Sequence, residues 1–554
     1  MIMKKYIGLS ILAFSLGLVS CNDFLDELPD NRTEANTEEK IQKLLVAAYP
    51  THDHMAFTEY ASDNVDEVLS NASYKDRFTD QCYAWEDITE SSNQSPLRYW
   101  MDLYQCIETA NLALEGIESM GGPTTQTLRE LQAEALLCRA YAHFMLVNIY
   151  APHYDANNPD ALGISFVNHS ESELNPKYQR ETVHENYKHI EEDLEAALPN
   201  VGDSYYEVPK YHFNRNAANA FATRFYLYYE KYDKAIEYAN KVLGTNPVTM
   251  LRDWAVLNTM PDGVKYQQDP TAAHVISPTL NCNLLLLTSY SNQPLYFGGW
   301  STGKGYSHNS YIGTNETISA LAKFWGGNYS TFAMPPKRYT ARNYWSQWRL
   351  PYLFEETDNL GNGYRHTVYN AFTGDEVLLN RAEAYIMLKN FTKAGEDMTV
   401  WMRNVVKPAY KGITVNETRV NAFMNSIAYS YDSEDGTPKG EVTSTLKKHL
   451  NPKFDIDEEG STQENFIQLV LAMRRYETLH EGKRWFDIKR WGIEIPRRQI
   501  DASGNPVAIV DWLKADDLRR AIQIPQDVIS AGYEPNPREG VTPSEAEIDN
   551  YIRE

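Results

Sequence analysis

The stretch from Glu464 to Gly492 constrains the fold of this chain more than any other part of its sequence. It reads ENFIQLVLAMRRYETLHEGKRWFDIKRWG, and its first apolar residues recur three and four positions apart, which places them on one face of an α-helix. They are Phe466, Leu469, Val470, Met473, Tyr476 and Leu479. Gly482 is expected to end this helix in the left-handed conformation that closes a final turn, and a second short helix is expected to end at Gly492.

Charged residues of both signs lie between these apolar positions. They are Arg474, Arg475, Glu477, Glu481, Lys483, Arg484, Asp487, Lys489 and Arg490. Because opposite charges lie three and four residues apart, the spacing predicts a helix hairpin held by ion pairs. Interleaved charges of both signs usually form solvated or paired faces, so we expect a structural role for this stretch.

Five further segments have helical periodicity: 97–119, 127–150, 181–198, 214–243 and 372–404. The last two each contain a short polar turn, around Lys231 and Asn390, between two helical runs. A helix, a short turn and a second helix with small residues at the crossing are typical of a tetratricopeptide pair. The pattern predicts a mainly α fold built on such pairs.

Residues 244–371 do not fit this helical pattern, since they are rich in Gly, Asn, Ser and Pro. Positions 290–354 contain 16 aromatic residues in 65 positions, including four of the 11 Trp of the chain. A loop-rich segment cannot bury so many rings in a core of helix pairs. We therefore expect some of these rings to be exposed or to line a pocket.

Exposed aromatic rings beside amides and carboxylates suit a carbohydrate ligand. The C–H face of a pyranose packs on such a ring as apolar area leaves water, while Asn, Gln and Asp bind the hydroxyl groups. The formal charge of −23 argues against binding of nucleic acid or of an anionic membrane through net charge. An oligosaccharide is therefore the predicted ligand, and no nucleic-acid partner is expected.

Two segments are candidate metal sites. His52-Asp53-His54 lacks a convincing third and fourth ligand, so a polar loop is the expected structure. Residues 355–362 place oxygen ligands around a Gly turn and could hold calcium, but they do not match the twelve-residue calcium loop, and a solvated acidic turn is the other interpretation. We expect no cofactor, with calcium as the alternative.

Cys82, Cys106, Cys138 and Cys282 show no zinc spacing, and the sequence leaves open whether any of them pair.

The sequence RRYETLHEGKRWFDIKRWG resembles the C-terminal signature of the SusD/RagB family, surface lipoproteins of Bacteroidetes that capture nutrients for a partner outer-membrane transporter. Other segments are similar to family segments: Ser62 to Val65, Glu134 to Tyr141, Asp375 to Ala384, and Ala521 to Gln526 followed by Asn536-Pro537. The resemblance extends from Cys21 to about Pro537 and is weakest in the central region.

The resemblance implies a SusD-like fold, in which tetratricopeptide-type helix pairs form a scaffold and an irregular region binds the ligand. It divides the chain into a helical part at 36–243, a loop-rich aromatic ligand-binding region at 244–371 and a C-terminal helical part at 372–554. It also places the ligand site on the central region with a contribution from an earlier loop. The implied binding residues are Tyr83, Trp85, Tyr296, Trp300, Trp325 and Tyr329, and the alternative for each single ring is that it fills a small satellite core.

The N-terminus resembles a lipoprotein export signal. Lys4 and Lys5 precede an apolar run too short for a comfortable membrane span, and the run ends Leu18-Val19-Ser20-Cys21, which is similar to a bacterial lipobox. This implies a signal peptide at 1–20, lipidation of Cys21 and a tether at 21–35. The acidic residues of that tether are similar to those of surface-exposed lipoproteins, so the expected location is the cell surface, anchored in the outer membrane by lipid.

Binding without chemistry is the expected activity. The sequence contains no G-x-S-x-G elbow, no phosphate-binding loop and no dinucleotide fingerprint. By resemblance, the protein captures an oligosaccharide and passes it to a TonB-dependent transporter of the SusC type. Two alternatives stay open: a peptide ligand as in the RagB branch, and a surface glycosidase, which needs only two placed carboxylates.

Overall fold

The structure, a computed structural model, describes residues 35–68, 75–172, 177–259, 268–298, 305–340, 343–357, 361–431, 444–501 and 504–538. Its helices are α1 (Glu38–Leu45), α2 (Met55–Ala61), α3 (Arg77–Tyr83), α4 (Pro96–Ser119), α5 (Gln126–Tyr150), α6 (Val183–Ala197), α7 (Arg215–Tyr228), α8 (Tyr232–Leu243), α9 (Trp254–Thr259), α10 (Gln268–Val275), α11 (Gln293–Phe297), α12 (Ser310–Asn315), α13 (Ile318–Ala322), α14 (Gly374–Met387), α15 (Phe391–Val405), α16 (Glu417–Met424), α17 (Thr462–Glu477), α18 (Arg484–Arg490) and α19 (Gln526–Ser530). The strands are β1 (Asp66–Glu67), β2 (Asn283–Ser289), β3 (Tyr306–Ser307), β4 (Lys337–Tyr339), β5 (Tyr344–Ser346), β6 (Leu353–Glu356), β7 (Gly363–Thr373), β8 (Ile495–Ile500) and β9 (Pro506–Leu513). Within these ranges, no helix combines the length and the apolar character that a membrane span requires.

Packed helix pairs form the scaffold, as the sequence predicts. Helix α4 packs against α5, α5 against α6, α7 against α8, and α14 against α15, while α8 also contacts α14. Small side chains permit this close packing, since Ala217, Ala218, Ala220 and Ala222 of α7 are all buried. The prediction of a mainly α fold is confirmed.

The central region contains a small antiparallel sheet with strand order β2-β7-β6. Strand β2, at one edge, is almost fully buried, whereas strand β6, at the other edge, is largely exposed. Strand β7 runs directly into α14, and Thr373 at the junction caps the helix by accepting a hydrogen bond from the Glu376 amide. The sheet therefore fixes the irregular region to the helical scaffold.

The C-terminal hairpin differs from its prediction in where its first helix ends. Helix α17 stops at Glu477, five residues before Gly482, and a turn follows in which both His480 and Gly482 adopt positive φ values of 70° and 69°. The left-handed conformation predicted for Gly482 is confirmed. The apolar face predicted for this stretch is also buried, and Trp485 and Trp491 of the second helix are fully enclosed.

The charged residues of this hairpin are buried, and most of their partners lie far away in the sequence. Glu383 of α14 accepts hydrogen bonds from Arg474 and Arg490, at 2.5 and 2.7 Å. Arg474 also binds Asp487 at 2.6 Å, which joins α17 to α18. Burial opposes ionisation of Glu383, but the guanidinium groups of Arg474 and Arg490 outweigh it and lower the pKa of that carboxyl. These residues form an internal network and not a solvated face.

A second buried network joins the hairpin to the N-terminal segment Ser62 to Val65. Asp63 accepts two hydrogen bonds of 2.9 Å from Arg484 and lies 3.3 Å from Arg475. Although burial opposes its ionisation, these two cations hold the pKa of Asp63 well below its usual range. Glu316 accepts from Arg498 at 2.6 Å and from Lys448 at 2.8 Å. Parts of the chain separated by hundreds of residues are thus held together through charge.

The four cysteines within the described residues are buried free thiols: Cys82, Cys106, Cys138 and Cys282. Burial raises the pKa of each thiol. Since the thiolate is the reactive form, these side chains act as small apolar core residues.

Candidate functional site

Four of the six predicted binding residues lie in the hydrophobic core. Tyr83, Trp85, Tyr296 and Trp325 have between 2% and 8% of their surface exposed. Tyr329 is half-buried, and Trp300 lies outside the described residues, as does the lipidation candidate Cys21.

The rings of Tyr83 and Trp85 are covered by neighbours on their faces. Tyr83 stacks on Tyr306 with ring centroids 4.2 Å apart, and the guanidinium of Arg497 lies 4.0 Å from the Tyr83 ring and 4.1 Å from the Trp85 ring. The indole of Trp85 donates a 2.8 Å hydrogen bond to the Ala61 carbonyl. These contacts fix the early loop against the core, and the part of the two residues in ligand binding stays a prediction.

Tyr296 and Trp325 pack in two different places. Tyr296 contacts Tyr60 edge to face at 5.6 Å, within the same aromatic group that contains Tyr306. Trp325 lies edge to face against Phe332 at 5.5 Å. The structure therefore brings Tyr83, Trp85 and Tyr296 close to one another, whereas Trp325 belongs to another part of the core.

Tyr329 lies on a surface that we call the β4–β5 surface, formed by Tyr329, Arg338 and Tyr339 next to the buried ring of Trp345. Tyr329 contacts Trp345 edge to face at 5.5 Å, and the exposed guanidinium of Arg338 lies 3.8 Å from the Tyr329 ring centroid. Strands β4 and β5 pair in register, with Arg338 opposite Trp345 and Tyr339 opposite Tyr344. One of the predicted residues thus sits at the protein surface beside a cation.

The most exposed rings of the central region lie on the two faces of the β6–β7 hairpin, which together we call the β6–β7 surface; its residues are Tyr290, Tyr352, Phe354, Tyr364 and Arg365. Tyr364 is 56% exposed and Phe354 is 44% exposed. Phe354 lies opposite Arg365 in the strand pairing and shares its face of the hairpin, whereas Tyr364 lies opposite Glu355 on the other face. Tyr290 contacts Tyr364 at 5.7 Å.

The β6–β7 surface could be anticipated only in part from the sequence. Tyr352 and Phe354 fall inside the aromatic-rich window at 290–354, but Tyr364 and Arg365 fall outside it. The count of rings predicts that some are exposed without saying which. Side chains two residues apart in a strand share a face, so a strand over 352–356 would place Tyr352 and Phe354 together on one face. This spacing is the signal in the sequence that could have located the two rings.

Neither surface presents an arrangement suited to hydrolysis among its described residues. Glu355 and Glu356 are successive residues of β6, so their side chains point to opposite faces of the strand. A glycosidase needs two carboxyl groups that face each other across the scissile bond. Across the described ranges there is also no group of three or more His, Cys, Asp or Glu arranged to hold a metal ion. Residues 358–360 of the calcium candidate lie outside those ranges.

A cleft of about 360 Å³ lies elsewhere, between segments 152–162 and 515–521. Lys489 on its lining donates hydrogen bonds to the carbonyls of Asn148 and Ala151 at the end of α5, at 2.5 and 2.6 Å. Burial lowers the pKa of Lys489 to about 7. Because the lining contains no Phe, Tyr or Trp, this cleft offers no ring on which a sugar can pack.

Comparison with protein families gives two matches. A family model described as "Starch-binding associating with outer membrane" matches residues 23–227, and one described as "SusD family" matches residues 327–536. Neither of these two models covers residues 228–326, which include much of the aromatic-rich region. Comparison with curated protein sequences gives no match.

Solved structures with the same fold cover almost the whole chain. A crystal structure titled as a putative sugar binding protein from Bacteroides vulgatus is 17% identical, covers 92% of this chain and 100% of its own, and has a TM-score of 0.61. A SusD-like carbohydrate binding protein from the same species is 15% identical, with coverages of 90% and 96% and a TM-score of 0.58. A SusD superfamily protein from Bacteroides thetaiotaomicron is 18% identical, with coverages of 91% and 100% and a TM-score of 0.56.

The packed helix pairs and the irregular region attached to them define an α-helical scaffold protein of the SusD-like fold. The chain belongs to the SusD/RagB family.

Proposed function

We propose that this protein is a cell-surface lipoprotein that captures an oligosaccharide and passes it to a SusC-type TonB-dependent transporter. Membership of the SusD/RagB family supports a role in binding at the outer membrane. The observation that carries the proposal is the exposure of Tyr364 and Phe354 on the β6–β7 surface, within a region that is otherwise well packed. A pyranose packed on such a ring removes apolar area of both partners from water.

We expect loss of these rings to weaken glycan binding. The soluble chain starting after Cys21 would be tested on an array of glycans and peptides, and affinities would then be measured by calorimetry. Phe354 and Tyr364 lie on opposite faces of the hairpin, so the substitution on the face that binds, Phe354→Ala or Tyr364→Ala, should reduce affinity roughly tenfold, because one ring contact contributes about 1–1.5 kcal/mol. Tyr178→Ala is the matched control, since Tyr178 is also an exposed tyrosine, at 37%, but lies outside both surfaces.

The same experiment separates the alternatives. Glycan binding that both ring variants leave unchanged would contradict the β6–β7 surface as the site, and Trp300→Ala and Trp325→Ala would then test the other predicted residues. Binding of peptides alone would favour the RagB-like function, for which the exposed edge strand β6 offers unpaired backbone groups. Cleavage of any glycan would establish a glycosidase.

Lipidation of Cys21 is part of the proposal and has its own test. In cells fed labelled palmitate, we expect the full chain to incorporate label and to fractionate with the outer membrane. Cys21→Ala should abolish both, because the thiol is the attachment point. Label retained in Cys21→Ala would contradict the anchor.

A further inference from the structure

Each of the two aromatic surfaces carries an exposed arginine that lies over a ring. The guanidinium of Arg338 lies 3.8 Å from the ring centroid of Tyr329 and 5.7 Å from that of Trp345. The guanidinium of Arg365 lies 4.5 Å from Tyr352 and 5.4 Å from Phe354. Both arginines are exposed. A cation is therefore held in a fixed place beside the rings of both surfaces.

Neither guanidinium has a carboxylate within ion-pair distance among the described residues. Other arginines that lie over rings bind a carboxylate or a backbone carbonyl: Arg224 binds Glu376 at 2.6 Å, Arg490 binds Glu383 at 2.7 Å, and Arg419 donates to the Phe324 carbonyl at 2.9 Å. In a chain with 75 acidic and 52 basic residues, acidic partners are plentiful. Arg338 and Arg365 keep their donors available at the surface.

The nearest acidic residues of the hairpin do not neutralise Arg365. Glu355 lies opposite Tyr364 in the strand pairing, so its side chain points away from the face that carries Arg365. Glu356 is opposite Gly363 and forms no ion pair with Arg365 at 4.0 Å or less. The face formed by Tyr352, Phe354 and Arg365 thus combines two rings with an arginine that forms no ion pair, although Glu356 lies on the same face.

A guanidinium stacked on a ring is well prepared to bind an anionic group. Stacking holds its plane while leaving the N–H donors at its edge free, and these match the two oxygens of a carboxylate in a bidentate arrangement. A neutral sugar uses the ring face itself, but part of the Tyr329 face is already covered by Arg338. The arrangement favours a ligand whose sugar packs against the remaining ring area while its charged group reaches the arginine.

We propose that the oligosaccharide ligand is acidic, with carboxylate or sulfate groups that bind Arg338 and Arg365. This inference rests on the proposed function, because it names the class of glycan that the β6–β7 surface binds and adds the β4–β5 surface as a second contact. The net charge of −23 repels anions at long range, so selectivity for an acidic glycan would come from these local contacts.

The test compares charged and uncharged forms of one glycan. Calorimetry at 150 mM salt would measure binding of oligogalacturonides, of the same oligosaccharides after carboxyl reduction, and of a sulfated glycan with its desulfated form. We expect at least tenfold tighter binding of a charged form over its neutral counterpart. Arg338→Gln combined with Arg365→Gln should remove that preference, so that the charged and neutral forms bind this variant with affinities within about twofold of each other, since each charged contact contributes on the order of a tenfold factor. The arm that responds, carboxylate or sulfate, identifies the acidic group.

Arg98→Gln is the matched control, because Arg98 is an exposed arginine of α4 that lies over no ring of the described residues. It should leave both affinities unchanged. Equal binding of charged and neutral forms would overturn the inference while the proposed function stands. A charge preference that survives in the double variant would also overturn it, and binding of no glycan of either kind would overturn both.

Discussion

Glu383→Gln is expected to lower the free energy of unfolding by roughly 3–5 kcal/mol, the usual effect of removing one partner from a buried ion pair. Glu383 is fully buried and is the carboxylate to which both Arg474 and Arg490 bind. Glutamine keeps the shape of the side chain but removes its charge. Arg490 then loses its counter-ion, and Arg474 keeps only its ion pair with Asp487. Urea unfolding followed by tryptophan fluorescence would measure the change.

Glu396→Gln is the matched control for this substitution. Glu396 lies on the neighbouring helix α15 and pairs with Lys393 at 2.8 Å, but more than half of each side chain is exposed. An exposed pair of this kind contributes about 0–1 kcal/mol, so the control should change stability little. Equal effects of the two substitutions would show that the buried network does not hold α17 and α18 to α14.

Gly482→Ala is expected to destabilise the fold by about 2–5 kcal/mol, through backbone strain and overpacking together. Gly482 has a φ of 69°, which an alanine adopts only with strain. A Cβ atom there would lie 2.7 Å from the Cα of Met55 and 2.3 Å from the hydroxyl of Thr58. Because the closest backbone belongs to α2, relief would require α2 and the hairpin to separate.

Gly121→Ala separates the two causes. Gly121 has a φ of 93°, also in the left-handed region, but a Cβ atom there would meet nothing within 4 Å. This control should show the backbone strain alone, about 1–2 kcal/mol. If Gly482→Ala were no more harmful than Gly121→Ala in thermal unfolding, the close approach of α2 to the turn would be contradicted.

The helical scaffold followed from the sequence because its signals are local. Apolar residues three and four apart in segments such as 97–119 and 127–150 give helices α4 and α5 with bounds within a residue of those expected. The positive φ of Gly482 and Gly492 followed in the same way, since a turn after a helix favours glycine. The predicted end of α17 was wrong by five residues, because Leu479 in the turn that follows is apolar and continues the helical spacing.

The partners of the buried charges could not be read from spacing. Residues three and four apart in the C-terminal hairpin predicted local ion pairs, yet Arg474 and Arg490 meet at Glu383, and Arg484 binds Asp63 some 421 positions away. Which charges form ion pairs depends on how segments that are distant in sequence pack together. The number of residues between two charges does not show how close they lie in the folded protein.

In the aromatic-rich region, too, the sequence determined some features and the tertiary structure decided the others. Its composition determined that rings are abundant and that the region differs from the helical scaffold, and the family signature determined the fold. The tertiary structure decided which rings are covered: Tyr83, Trp85, Tyr296 and Trp325 lie in the core, while Phe354 and Tyr364 lie on an edge hairpin. The physical reason is that the exposure of a ring depends on the segments that pack over it, and those come from elsewhere in the chain.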